Sequence, residues 1–136
     1  MKTLEKNNRL PAVYSYEVLS EHLIAAHLEF GEDVIGVGNN TTARWDDEDV
    51  TQPDEFCILI TLHDTVVCRM YRSVVQLNSG GYKSKTTKDR MDRALKPLGL
   101  RMTTIYKNWY VYNVTTGAYV EYFDGMVVSK ETGGWQ

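Results

Sequence analysis

The 136-residue sequence contains few cysteines, histidines and prolines: two, three and three. Two cysteines cannot form the several disulfides of a small secreted domain, and they fall short of a structural zinc site. Cys57 and Cys68 lie among aliphatic residues on two predicted strands, where diagonal neighbours are roughly 7–8 Å apart, too far for an unstrained disulfide. We therefore expect two reduced, buried thiols and a protein that carries no cofactor or metal.

The sequence also lacks a long apolar run. The longest, Phe56–Leu62, is far shorter than the roughly 20 residues that a helix needs to cross a bilayer. Residues 1–9 are polar and charged, unlike the apolar centre of a signal peptide. We expect no membrane association and a cytoplasmic location.

No catalytic signature is present. His22 and His27 are five residues apart, so a helix would place them on different faces rather than in the four-residue spacing of a metal pair. His63 and Asp64 stand at a predicted turn, outside any recognisable triad arrangement. The run Asp46–Asp49 lacks the glycine and the spaced oxygen ligands of a calcium-binding loop. A small enzyme is therefore the least favoured of three function classes.

What the sequence does contain is a pattern of two helices. Ser15 is a candidate N-cap for a helix that ends at Gly31, and Thr87 is a candidate cap for a short helix that ends near Pro97 and Gly99. Apolar residues recur at helical spacing in both. Those expected to face the core are Val18, Leu19, Leu23, Ile24, Ala26, Leu28, Met91, Ala94 and Leu95.

The remaining apolar segments predict strands. Phe56–Leu62 and Thr65–Tyr71 are apolar on both faces, which is typical of a hairpin at the centre of a sheet. Short strands are predicted at Val34–Val37 and Val74–Leu77, with turns over residues 36–40 and 78–81 and an acidic loop at Trp45–Pro53. A C-terminal meander is predicted from four β-branched and aromatic runs, Met102–Tyr106, Trp109–Thr115, Ala118–Phe123 and Met126–Ser129.

These elements predict an α+β fold with a mainly antiparallel sheet. We expect a single domain over residues 1–136, with a flexible lead-in over residues 1–11 and both helices on one face of one sheet. Asp124 and Gly125 favour a type I′ turn between the last two strands of the meander.

Aromatic residues alternate along the meander. In a simple register, one face would carry Tyr110, Tyr112, Tyr119 and Phe123, and the other Tyr106, Trp109 and Tyr122. Helices can cover only one of these faces. The other packs against the central hairpin, stacks on bases, or contacts a partner, including a second copy of the chain as a homo-oligomer.

Charge is segregated along the chain. The net charge is −9 over residues 1–68, +8 over residues 69–107 and −2 over residues 108–136. Such segregation creates a field that can select partners, unless the basic and acidic segments face each other in the folded protein.

The basic segment, residues 69–107, contains the turn over residues 78–81, which we call the glycine turn, followed by the start of the second helix. A helix N-terminus presents unpaired N–H groups and the positive end of a dipole, which favour phosphate. The candidate anion- or nucleic-acid-binding residues, all expected to be exposed, are Lys83, Lys85, Thr86, Thr87, Lys88 and Arg90. The alternative is an ordinary capped helix with solvated lysines.

One pattern crosses this segment. Asp64-Thr65-Val66-Val67, a further strand, and then residues 81–91 resemble small accessory proteins of tailed bacteriophages, in which a T-x-V strand precedes Y-x-S/T-x-T-T and a short basic helix. The resemblance implies a viral protein expressed in the bacterial host cytoplasm, and it carries over no activity. We predict a non-enzymatic accessory protein that binds nucleic acid through residues 69–107. The alternative is a protein-binding inhibitor of a host defence or nucleic-acid-processing system, acting through the acidic half or the aromatic sheet.

Overall fold

A computed structural model describes residues 2–3, 11–46 and 56–130. In chain order, its elements are β1 (Lys2–Thr3), α1 (Tyr16–Phe30), β2 (Val34–Gly38), β3 (Thr41–Trp45), β4 (Ile58–Leu62), β5 (Thr65–Met70), β6 (Val74–Leu77), α2 (Lys85–Leu95), a 3₁₀ turn (Lys96–Leu98), β7 (Leu100–Ile105), β8 (Asn108–Asn113), β9 (Tyr119–Glu121) and β10 (Val127–Ser129). The predicted α+β class is confirmed. Most of the predicted lead-in and of the acidic loop lies outside the described residues.

The larger sheet has seven strands in the order β1-β2-β3-β4-β5-β6-β10. All its pairs are antiparallel except β1 with β2. The hairpin of β4 and β5 lies at its centre, as predicted. Strand β3 was missed, and the turn predicted over residues 36–40 is shorter than expected. Gly36 and Gly38 belong to β2, and the chain reverses at Asn39 and Asn40, where Asn40 has a φ of 54°.

The prediction of one sheet is wrong, because β7, β8 and β9 form a separate three-stranded sheet. The fourth strand of the predicted meander, β10, leaves it and pairs with β6, with Val128 opposite Val75. Asp124 and Gly125 therefore do not form a hairpin. Only Gly125 has a positive φ, 89°, and Phe123 O accepts a hydrogen bond from Met126 N at 3.2 Å, as in a type II turn.

Each helix buries one stripe of side chains. Helix α1 packs on β2 and β3, while α2 packs on β5 and β6 of the larger sheet and on β7 of the smaller one. Helix α2 therefore joins the two sheets. Met91, Ala94 and Leu95 are buried as predicted. In α1 the buried residues are Tyr16, Leu19, Leu23 and Ala26, whereas Val18, Ile24 and Leu28 are exposed, contrary to prediction.

The two thiols are reduced and fully buried, as expected. Burial raises the pKa of Cys68 well above its ordinary value, because the thiolate would be desolvated. Both thiols should therefore react with a thiol reagent on the order of 1,000-fold more slowly in the native protein than in denaturant, because reaction requires opening of the core. Stopped-flow or quenched labelling followed by mass measurement checks this. Labelling of either cysteine at the denatured rate would contradict the buried hairpin.

Candidate functional site

Helix α2 begins at Lys85, four residues after the glycine turn, and is capped by Ser84, not by Thr87. Ser84 has an extended backbone, and its Oγ accepts a hydrogen bond from Thr87 N at 3.1 Å. The Thr87 hydroxyl lies 3.0 Å from Ser84 Oγ, and the residue is only 2% exposed. Thr87, a predicted ligand, is therefore a structural part of the cap.

Arg90, predicted to be exposed, is also buried, at 5% exposure. Its Nε donates to Thr41 Oγ1 at 2.9 Å, which ties α2 to β3, and its guanidinium pairs with Asp89. Asp89 accepts a second hydrogen bond, from Arg93 Nε at 2.8 Å. Burial opposes ionisation of Asp89, but Arg93 and Arg90 together lower its pKa. Arg90 is thus a structural residue.

Two further arginines of the basic segment are held by carboxylates. Arg69 pairs with Asp46 at 2.7 Å, and Arg101 makes a bidentate contact with Asp92 at 2.9 and 3.0 Å. Asp46 belongs to the acidic half of the chain. The acidic and basic segments therefore compensate each other at Arg69, which is the alternative explanation of the charge segregation. Acids within α2 compensate the charges of Arg90, Arg93 and Arg101.

The lysines are arranged differently. Lys88 Nζ donates to Thr104 Oγ1 at 2.7 Å. Lys83 Nζ lies 5.9 Å from the centre of the Trp109 ring, and Trp109 pairs with Thr104 across β7 and β8. Both lysines therefore reach the same end of the β7–β8 hairpin.

The turn of that hairpin is formed by Tyr106 and Lys107, with φ of 49° and 73°. A two-residue turn with two positive φ values is type I′. Tyr106 is 94% exposed. Lys85 is the first residue of α2, three residues before Lys88, and we call Lys83, Lys85, Lys88 and Lys107 the lysine cluster. Among the described residues, no carboxylate oxygen lies within 4.0 Å of any of the four.

Asp124 stabilises the glycine turn beside the lysine cluster. One of its oxygens accepts hydrogen bonds from Ser79 N at 3.0 Å, Ser79 Oγ at 2.7 Å and the Tyr122 hydroxyl at 2.6 Å. The bond from Tyr122 is the main cause of a lowered Asp124 pKa, to which the charge of Lys83 contributes. Tyr122 packs edge-on against Trp109 at 5.4 Å, so Lys83 lies over a fixed aromatic pair.

A cleft of about 460 Å³ borders the same segment. It lies between the β4–β5 turn and the start of α2. Its lining residues are Leu62, His63, Asp64, Thr65, Val67, Ser79, Tyr82, Ser84, Thr86 and Thr87. All six lettered positions of the T-x-V and Y-x-S-x-T-T pattern are among them. Of the predicted site residues, Thr86 and Thr87 line this cleft, and the contribution of the β4–β5 turn was missed.

The aromatic residues of the smaller sheet divide largely as predicted. Trp109 and Tyr122 are buried, whereas the face that carries Tyr110, Tyr112 and Tyr119 is partly to well exposed. Tyr110 and Tyr119 contact each other edge-on at 5.8 Å. Phe123 lies beyond β9. Oligomerisation through this face stays a prediction.

Two other properties of the described residues bear on function. Neither of the helices described has both the length and the apolarity needed to cross a bilayer. Within the same residues, no three His, Cys, Asp or Glu side chains come together as metal ligands.

Comparison with known proteins identifies one family. No curated protein and no solved structure matches the chain. The sequence model of the Kyanoviridae Gp96 protein family matches residues 32–129, which include every element from β2 to β10 as well as the lysine cluster and the cleft. A phage origin agrees with the resemblance found in the sequence. The chain belongs to the Kyanoviridae Gp96 protein family and is a phage protein.

Proposed function

We propose that this phage accessory protein binds single-stranded nucleic acid across the lysine cluster. The proposal rests on a difference between the arginines and the lysines in their contacts with carboxylates. Carboxylates hold Arg69, Arg90, Arg93 and Arg101, whereas folding brings lysines from two distant segments to one end of the β7–β8 hairpin with no described carboxylate in contact.

The chemistry of the cluster suits a nucleic-acid backbone. Lysine ammonium groups neutralise phosphates and release condensed counterions, which supplies sequence-independent affinity. Tyr106 projects from the same hairpin turn, next to Lys107, and exposes nearly its whole side chain. An exposed ring beside cations can stack on an unpaired base. Because a duplex keeps its bases stacked internally, we expect single strands to bind more tightly than duplexes.

Salt dependence is the first test. If four lysines contact phosphates, the affinity for a single-stranded oligonucleotide should fall about 50-fold between 50 and 200 mM salt, from a slope of roughly −0.7 per contact. The variant with Lys85→Gln, Lys88→Gln and Lys107→Gln should bind at least 10-fold more weakly at 50 mM salt and show a slope of about −0.7, that of one remaining contact. Fluorescence anisotropy measures both quantities.

A matched control removes the same charge elsewhere. This control variant carries Arg44→Gln, Lys96→Gln and Lys130→Gln, which change residues outside the lysine cluster. It should keep the salt-dependence slope and most of the affinity of the wild-type protein. Circular dichroism should show both variants folded. If wild-type protein binds no oligonucleotide at 50 mM salt, or if the two triple variants lose affinity equally, the lysine cluster is not a nucleic-acid site.

A second candidate function is inhibition of a host protein through α1. The outward side of this helix exposes Ile24 and Leu28, the latter at 77%, beside the exposed acids Glu17, Glu21 and Glu29. A mixed apolar and acidic surface fits a basic protein surface, such as that of a nucleic-acid-processing enzyme. Here wild-type protein would ignore nucleic acid and retain a host protein in an affinity purification, and Ile24→Ser with Leu28→Ser would lose that protein.

A further inference from the structure

We propose that the cleft between the β4–β5 turn and α2 holds the base of one unstacked nucleotide. Binding of a base within a strand rests on the proposed function, whereas binding of a free nucleotide does not depend on it. The cleft has a volume of about 460 Å³, which lies within the range of pockets that bury small organic molecules, roughly 300–1,000 Å³.

The cleft wall is apolar where a planar ring would rest. Leu62 and Val67 line it and are otherwise buried in the core. Tyr82 stands at its edge with 71% of its side chain exposed. An apolar wall with an exposed aromatic ring nearby favours a flat heterocycle, since rings gain from stacking on an aromatic face.

The polar groups of the cleft separate into two sets. The Ser79 hydroxyl donates a hydrogen bond to Asp124, and the Ser84 hydroxyl accepts one from Thr87 N in the helix cap. The hydroxyls of Ser84 and Thr87 also bond to each other. Those of Thr65 and Thr86 make no hydrogen bond to another described residue. They remain available for the edge of a base, and such a small number of polar groups on an apolar wall is typical of a ligand pocket.

Charge determines which part of a nucleotide enters. Asp64 lines the cleft, and its carboxylate repels phosphate while accepting hydrogen bonds from amino or hydroxyl groups. Tyr82, Ser84 and Thr86 line the cleft, whereas Lys83 extends over Trp109 and Tyr122. Because Lys83 and Lys85 alternate along the chain with these cleft residues, a strand whose phosphates bind the two lysines can place one base in the cleft.

Two substitutions of exposed residues test the cleft. Tyr82→Ser removes the ring at the edge, and Thr86→Phe fills the space. The probes are an oligothymidylate and an abasic oligomer of the same length. Wild-type protein should prefer the oligothymidylate, and each substitution should lower that preference at least 5-fold, the lower end of what one stacked base contributes. Affinity for the abasic oligomer should stay within about 2-fold, since phosphate contacts are unchanged.

Thymidine monophosphate serves as a second probe and as the localising control. In amide NMR spectra it should shift Thr65 and Thr86 in wild-type protein and in Tyr106→Ser, whereas in Thr86→Phe it should leave Thr65 unshifted. If the oligomers bind and neither cleft substitution alters the base preference, the cleft inference is overturned and the proposed function stands. If no oligomer binds but the monophosphate shifts Thr65 and Thr86, the proposed function fails and the cleft binds a free nucleotide. Absence of both signals overturns both proposals.

Discussion

Replacing Arg90 with alanine is expected to lower the free energy of unfolding by about 3 kcal/mol, because it removes a buried charged group and leaves its partners without it. The guanidinium joins α2 to β3 through Thr41 and pairs with Asp89. Asp89 keeps Arg93 and some solvent, so the loss should fall at the low end for a broken buried pair. Urea unfolding followed by circular dichroism measures it.

Lys85→Ala is the matched control for Arg90→Ala. It removes a cation from the exposed side of the same helix, and we expect a change within about 0.5 kcal/mol. If Arg90→Ala left stability unchanged and weakened nucleic-acid binding instead, Arg90 would be a ligand, as its sequence context predicts.

Replacing Gly80 with alanine should cost about 2–4 kcal/mol of stability. Gly80 has a φ of 62°, and a Cβ atom there would lie 2.7 Å from Thr65 Cγ2. A left-handed backbone costs an L-residue roughly 1–2 kcal/mol, and the steric conflict adds a further amount of similar size. The close approach holds the glycine turn against β5, so the same change should distort the cleft wall.

Gly81→Ala separates the two contributions. Gly81 also has a positive φ, 88°, but a Cβ atom added there would meet nothing within 4 Å, so only backbone strain applies. Thr65→Ser removes the conflicting methyl group and should restore about half of the stability lost in Gly80→Ala. Equal losses from Gly80→Ala and Gly81→Ala, with no rescue by Thr65→Ser, would show that the two segments are not in close contact.

Local signals predicted much of the fold. Ser15 caps α1, the β4–β5 hairpin lies at the sheet centre, and the glycine turn precedes α2, because each depends on neighbouring residues. The type of turn was not predicted correctly from turn residues in two places. Tyr106 and Lys107 form a type I′ turn without Gly or Asn, while Asp124 and Gly125, the strongest hairpin signal, do not. At Asp124 and Gly125, the long-range pairing of β10 with β6 decided the outcome.

The candidate site was predicted only in part for a similar reason. Thr87, Arg90, Met91 and Ala94 follow a three-to-four-residue spacing that places Arg90 on the buried side of α2, so a signal for its burial was present. The contribution of Lys107, and that of His63 and Asp64 to the cleft, follow from contacts between segments far apart in sequence. A single sequence contains no local signal for such contacts.

The position of β10 also has a consequence for how the chain matures. Val127 pairs with Gln76, so during synthesis β6 leaves the ribosome long before the strand that covers it. Until then, β6 presents an unpaired edge that another nascent chain can occupy. Meanwhile the β7–β9 sheet can form from nearby residues, and closure of the larger sheet, a pairing of high contact order, follows last. The interval between synthesis of β6 and pairing of β10 is therefore the period in which this chain is most open to misassembly.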